Sequence, residues 1–326
     1  MYAVPPLLLE TNSPGRRLRG RRPGGFGFVG AGCGKHGAAV SVVMQGDSDR
    51  ATGHIGRFMI CRLCGGSDLK PLYTQGARGE FAFFRCRTCR LVSYDLSGGL
   101  DQEKYSRELP DPMSPDDPRN ASQSRTYSFI AKRYARPGRL LDIGCGNGRL
   151  LHLAASDGWK VEGVEMPGGM AEKTAARLGV PVHEGVFPGS MPALEGRFDL
   201  VVLRHVLEHI PDPPAAIGAI RSLLSEGGEA LLEFPNIDGL DQVTKRMLER
   251  LGLRRKRYRP SYIPGHCCEY CRGSFRFLLE RSGMVLERWE TYSSRPWLDP
   301  LLKVAPLGGK ARAIVRQGPP EPHRGT

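Results

Sequence analysis

No stretch of this chain is long and apolar enough to cross a bilayer. Its buried-looking runs, such as residues 200–203, are of strand length, against the roughly 20 residues a spanning helix needs. The first residues do not read as a secretory signal either. The apolar run at 4–9 is short, holds Pro5 and Pro6, and precedes the arginines it ought to follow. Acidic charge is scarce, with 34 Asp and Glu against 47 Lys and Arg, a net charge of +13. The shortfall is uneven. Residues 240–326 carry 18 basic against 8 acidic side chains, whereas 96–239 carry 15 against 20. A basic excess at the ends attracts phosphates, nucleic acid or an anionic surface, or simply keeps the chain solvated. Residues 1–58 lack apolar periodicity and contain Arg16, Arg17, Arg19, Arg21 and Arg22 before a glycine-rich run, so a disordered basic tail is expected there. The G-x-G-x-x-G match at 25–30 has no strand before it and no acidic partner after it, and is accidental. Met44 and Met59 are alternative starts that would remove most or all of this tail.

What is present begins with Leu-Leu-Asp-Ile-Gly-Cys-Gly-Asn-Gly at 140–148. Asp142 ends a predicted strand, Gly144, Gly146 and Gly148 alternate through a turn, and a helical pattern starts at Arg149. Glycines between a strand and a helix let a ligand approach the backbone. The spacing differs from the dinucleotide fingerprint, which disfavours an NAD-type oxidoreductase. A short alternating strand at 159–164 then ends at Glu165, where a carboxylate suits two ribose hydroxyls. A buried strand at 198–203 leads into Arg-His-Val-Leu-Glu-His-Ile-Pro-Asp-Pro, and 227–236 reads as a fifth strand.

These motifs, over roughly 120–316, resemble the class I S-adenosylmethionine (SAM) methyltransferases, in particular their ubiquinone-type branch. The resemblance implies an α/β, Rossmann-like fold with a mostly parallel seven-stranded sheet and helices on both faces. It assigns Asp142, Gly144, Cys145, Gly146, Gly148, Glu165, Met166 and Phe187 to SAM, with Glu184 or the 186–187 backbone as alternatives beside adenine. His205, Glu208 and His209 follow the fourth strand; in helical geometry the two histidines share one face. They are read as base and orienter, or as ligands of a divalent ion. His205 is the first candidate for general base, and His266 and His209 are further catalytic candidates.

Cys61, Cys64, Cys86 and Cys89 form two C-x2-C pairs 21 residues apart, the pattern of a structural zinc site. A small zinc-ribbon-like module is expected at 59–95, similar to segments preceding some bacterial class I methyltransferases. Arg62, Arg85, Arg87 and Arg90 leave a nucleic-acid-binding ribbon open. His266, Cys267, Cys268 and Cys271 read as a second metal cluster or, more simply, as loop and helix residues. The 240–259 stretch reads as an amphipathic helix with a basic end. As a cover over the acceptor site it would suit a phosphate-bearing acceptor; a solvated surface helix explains it equally well. The remaining expectations are a linker with a helix at 96–137, a methyltransferase domain at 138–318 and a short tail at 319–326. The expected activity is SAM-dependent methylation of a small-molecule or carrier-linked acceptor in the cytoplasm. RNA methylation and a non-catalytic SAM- or nucleic-acid-binding adaptor are the alternatives.

Overall fold

The computed structural model describes residues 59–102, 111–114, 117–191, 193–194, 197–293 and 307–319. The tail expected at 1–58, and that expected at 319–326 apart from residue 319, lie outside the described residues. The first elements are the strands β1 (Leu69–Gln75), β2 (Phe81–Cys86) and β3 (Val92–Tyr94), which pair antiparallel in sequence order. Helix α1 (Pro118–Arg133) follows; Asp117 caps it by accepting from Arg119 N–H, and Pro118 supplies the fixed φ of a first turn.

Alternation of strand and helix then builds the main layer: β4 (Arg139–Ile143), α2 (Arg149–Ser156), β5 (Lys160–Glu165), α3 (Met170–Leu178), β6 (Val182–Glu184), β7 (Phe198–Arg204), α4 (Pro213–Leu223) and β8 (Leu224–Pro235). Beyond it come α5 (Leu240–Arg250), β9 (Cys268–Glu269), α6 (Arg272–Arg281), β10 (Met284–Tyr292) and β11 (Lys310–Gln317). The seven strands lie in the order β10-β11-β8-β7-β4-β5-β6; β11 runs antiparallel to both its neighbours, β10 and β8, and the other pairs are parallel.

β4 and β7 are dominated by apolar residues on both faces because both sheet faces are covered. Leu141, Ile143, Val201 and Leu203 join a core with α4 and α6, while Leu140, Leu200 and Val202 join another with α1 and α2. Between the layers sits Glu233, 1% exposed. It accepts from Thr126 Oγ1 at 2.7 Å, Arg204 Nε at 3.0 Å and Arg312 Nε at 2.6 Å, tying α1, β7 and β11 to β8. Burial opposes its charge, but the two guanidiniums hold the carboxyl down at about 2.

Two expectations need correction. The 240–259 helix stops at Arg250, because Gly252 turns left-handed (φ 71°), and none of its residues is buried. The cysteines after His266 are not merely loop and helix residues. Cys268 lies in β9, which pairs with β3 through Val92↔Glu269 and Ser93↔Cys268, so the cysteine-bearing sheet takes its fourth strand from the far part of the chain.

Candidate active site

The carboxyl ends of β4, β5 and β7 converge on one edge, where open α/β sheets bind their ligands. Gly144, Gly146 and Gly148 have φ of 73°, 56° and 78°, a region that side chains with a Cβ rarely adopt. Space excludes a Cβ as well. At Gly144 it would stand 2.5 Å from Val206 Cγ2, and at Gly148 2.5 Å from Leu178 Cδ1. Glu165 reaches the loop from β5, and its Oε2 accepts Gly146 N–H at 2.7 Å. Burial raises the Glu165 carboxyl. Asp142, 3% exposed, is pushed up to about 7 by burial, with Arg204 countering. Cys145 is buried, its Sγ close against Gly163, which fits a packing residue. Met166 is half-buried after β5, and Phe187 is buried after β6. Glu184 is exposed and pairs in register with Glu165.

Sequence reasoning missed the brace behind this loop. Gln123 Nε2 donates to Asn147 Oδ1 (3.1 Å), Asn147 Nδ2 donates to Asn120 Oδ1 (2.9 Å), and Leu150 N–H donates to Gln123 Oε1 (3.1 Å). The only signal for it was the polar spacing within α1, which alone does not identify a distant partner.

At the end of β7 the chain departs from the helical expectation. His205 is left-handed (φ 55°), its N–H donates to Glu233 O at 2.7 Å, and only a 3-10 turn, Leu207–His209, follows. The two histidines therefore do not share a helix face. His205 Nδ1 lies 3.1 Å from Glu208 Oε1, whereas the His209 ring meets His266 edge-on at 4.8 Å and its Nδ1 contacts Gly265 O. Burial would raise the Glu208 carboxyl, yet the His205 hydrogen bond and the nearby His266 and His209 rings bring it below the usual range. Its Oε2 has no hydrogen-bond partner among the described residues. Ligand atoms of Glu208, His209 and His266 lie within 4.8 Å of one another, a group whose donor set fits a divalent ion. His266 thus joins Glu208 and His209, not the three cysteines after it.

The four N-terminal cysteines also converge. Cys61 and Cys89 sulfurs lie 3.3 Å apart, Cys64 and Cys86 sulfurs 3.4 Å, and all four fall within 4.8 Å. Sulfurs placed about 2.3 Å from one ion form a tetrahedron with edges of roughly 3.8 Å, so the set fits zinc. The two halves repeat one turn. Gly65 N–H donates to Cys61 O and Arg90 N–H to Cys86 O, and both donors are left-handed (φ 73° and 67°). The Cys89 thiol and the Cys64 and Leu63 N–H groups lower the Cys61 thiol, while the same contact raises that of Cys89.

Comparison with known proteins agrees with this geometry. The family described as "Methyltransferase domain" matches residues 117–288. Ubiquinone biosynthesis O-methyltransferase of Xanthomonas campestris pv. campestris (strain B100) is 32% identical over 192 residues, covering 55% of this chain and 80% of the relative. The enzyme of the same name from Pseudomonas aeruginosa (strain LESB58) is 38% identical over 117 residues, covering 33% and 50%. The solved PH0226 protein from Pyrococcus horikoshii OT3 superposes with a TM-score of 0.48 at 17% identity, covering 68% of this chain and all of that one. No helix among the described residues is long and apolar enough to cross a membrane. With more than half of its length matched, the chain belongs to the methyltransferase-domain family and is a SAM-dependent methyltransferase.

Proposed function

We propose that the chain methylates a small-molecule or carrier-linked acceptor at the carboxyl edge of β4, β5 and β7. The observation that carries this reading is the left-handed glycine loop bound through Gly146 N–H to the Glu165 carboxylate. SAM, when bound, supplies a methyl group on a positively charged sulfur. Asp142, Gly144, Cys145, Gly146 and Gly148 would form its cradle, with Glu165, Met166 and Phe187 as further residues that would hold it. His205 is the general base. A carboxylate at Nδ1 selects the tautomer with the proton on that nitrogen, leaving Nε2 as the basic atom for the acceptor's proton. His209 and His266 shape the acceptor side.

A second reading rests on the orphan Oε2 of Glu208 and its two histidine neighbours: a divalent ion held there by Glu208, His209 and His266 would polarise the acceptor oxygen. In the 59–95 module, Cys61, Cys64, Cys86 and Cys89 hold one zinc in a closed site that folds the module and leaves no coordination position for chemistry. The RNA alternative gains no support from the relatives.

Calorimetric titration of the full chain with SAM, and separately with NADH, tests the cofactor reading. SAM is expected to bind and NADH not, and Glu165→Ala is expected to weaken SAM by about tenfold or more. SAM affinity unchanged in that variant would remove Glu165 from the site.

A further inference from the structure

Next to His266, away from the glycine loop, lies a cavity of about 280 Å³ formed by three separate parts of the chain. One wall is the β1 hairpin of the cysteine module, through Tyr73 and Gln75; another is α5, through Lys245 and Arg246; the third is the segment carrying Arg254, Lys256 and Tyr258. The walls are fastened together. Tyr73 Oη donates to Glu269 Oε2 at 2.6 Å, Tyr262 Oη donates to Gln75 Oε1, and Arg250 Nη2 donates to Leu72 O at 3.2 Å. Continuity with the methyl-transfer edge runs through His266, whose ring meets His209, and through Cys267 N–H, which donates to Glu208 O at 2.9 Å.

Charge in this cavity is unbalanced. Four cations, Lys245, Arg246, Arg254 and Lys256, face two carboxylates, Glu249 and Glu269. Lys245 is paired with Asp241 and Arg254 with Glu249. Arg246 and Lys256 form no ion pair among the described residues: Arg246 Nη2 donates only to Ile237 O, and Lys256 Nζ lies over the Tyr258 ring at 4.9 Å. Glu269 lies within electrostatic reach of both but forms a close ion pair with neither, and a half-buried guanidinium and an ammonium beside an aromatic ring are the donors a phosphoryl group needs. The volume sits at the small end of ligand pockets and admits a phosphorylated small molecule, not a folded polymer.

We infer that this cavity binds the phosphoryl group of the acceptor, with Arg246 and Lys256 as its recognition residues and the cysteine module as one wall. The inference rests on the acceptor entering at the His205–His266 edge. It makes the zinc module part of the specificity apparatus, since Tyr73 and Gln75 reach the cavity only while the module is folded.

The test is calorimetric titration of the full chain, with S-adenosylhomocysteine present, using inorganic pyrophosphate as the probe. Pyrophosphate is expected to bind, Lys256→Gln and Arg246→Gln each to weaken it by about tenfold, and Lys256→Arg to stay within about threefold of the parent. Lys256 is exposed, so its exchange leaves the fold intact even if Arg246→Gln does not. Failure of pyrophosphate to bind, or equal binding by the Lys256→Gln protein, overturns the subsite. So does binding seen only to phosphatidylglycerol vesicles in parallel sedimentation, which would make the surface a lipid contact. None of these readouts requires turnover, so the subsite can fail while the assignment of the methyl-transfer edge, judged by His205 variants, stands.

Discussion

At the scale of single residues, His205 combines an unusual backbone with a defined hydrogen bond. Its left-handed φ is one that Asn tolerates, so His205→Asn keeps the turn and removes the imidazole. Turnover is expected to fall about a hundredfold, with SAM affinity within about threefold; steady-state kinetics and titration on the same protein decide it. Activity that falls in EDTA and returns with Mg²⁺ would favour the ion held by Glu208, His209 and His266. Asp142 presents the opposite balance. Burial raises its carboxyl to about 7 from an unfolded value near 4, so the native state holds a proton that the unfolded chain has lost across that interval. Its contribution is therefore most favourable below about pH 4 and is lost as the pH climbs through 7. With each tenfold in proton affinity worth about 1.4 kcal/mol, Asp142→Asn is expected to stabilise the apoprotein at pH 8 by up to about 4 kcal/mol, with little change at pH 4. Denaturant melts at the two pH values check this, and equal effects at both would refute it. The places of Asp142 and Glu165 near the ends of β4 and β5 were legible because the apolar pattern and the glycine turn mark where those strands stop. Asn120 and Gln123 were not, because a hydrogen bond across 27 residues leaves no local pattern.

At the scale of elements, burial on both faces made β4 and β7 readable as apolar runs. Three features were not readable. β9 has two residues and owes its strand geometry to β3, so no periodicity announces it. The 3-10 turn at Leu207–His209 follows a left-handed residue whose conformation the side chain does not dictate. The basic stretch from 251 to 259 has helix-forming composition but loses the helix at Gly252. The Glu233 clasp joins four elements and fixes the end of β7 from which His205 projects. Its carboxyl lies at about 2, below an unfolded value near 4.5, so its stabilisation is complete above pH 4.5 and is lost as the pH falls through 2. Glu233→Gln leaves Arg204 and Arg312 buried without a counter-charge and is expected to cost about 3–5 kcal/mol at pH 7. The gap to the parent should narrow steadily below pH 4.5. A constant gap from pH 7 to pH 3 would mean that packing, not charge, holds the clasp.

At the scale of the whole molecule, the cysteine module and the methyltransferase layer share one hydrophobic core. Phe83, Leu91, Val92 and Tyr94 belong to the same buried cluster as Leu203, Phe234, Cys267, Tyr270 and Phe275. The sheet that carries the cysteines is completed by β9, and Arg85 and Arg90 both pair with Asp238, which follows β8. Such a continuous core melts as one unit, because losing one side exposes the apolar surface of the other. Metal analysis is expected to find one zinc per chain, and none after Cys61→Ser and Cys86→Ser together. Calorimetry on the zinc-loaded protein is expected to show a single transition, and stripping the metal should lower its midpoint by on the order of 10 °C. Turnover should fall along with it, because the module also walls the cavity beside His266. Two transitions, with the upper one and the methyl transfer untouched by chelation, would instead make the module a separate body with its own purpose. The shared sheet argues against that outcome. Loss of a zinc from these turns would release β1 to β3, and β3 is the partner that pairs with β9, two residues after His266.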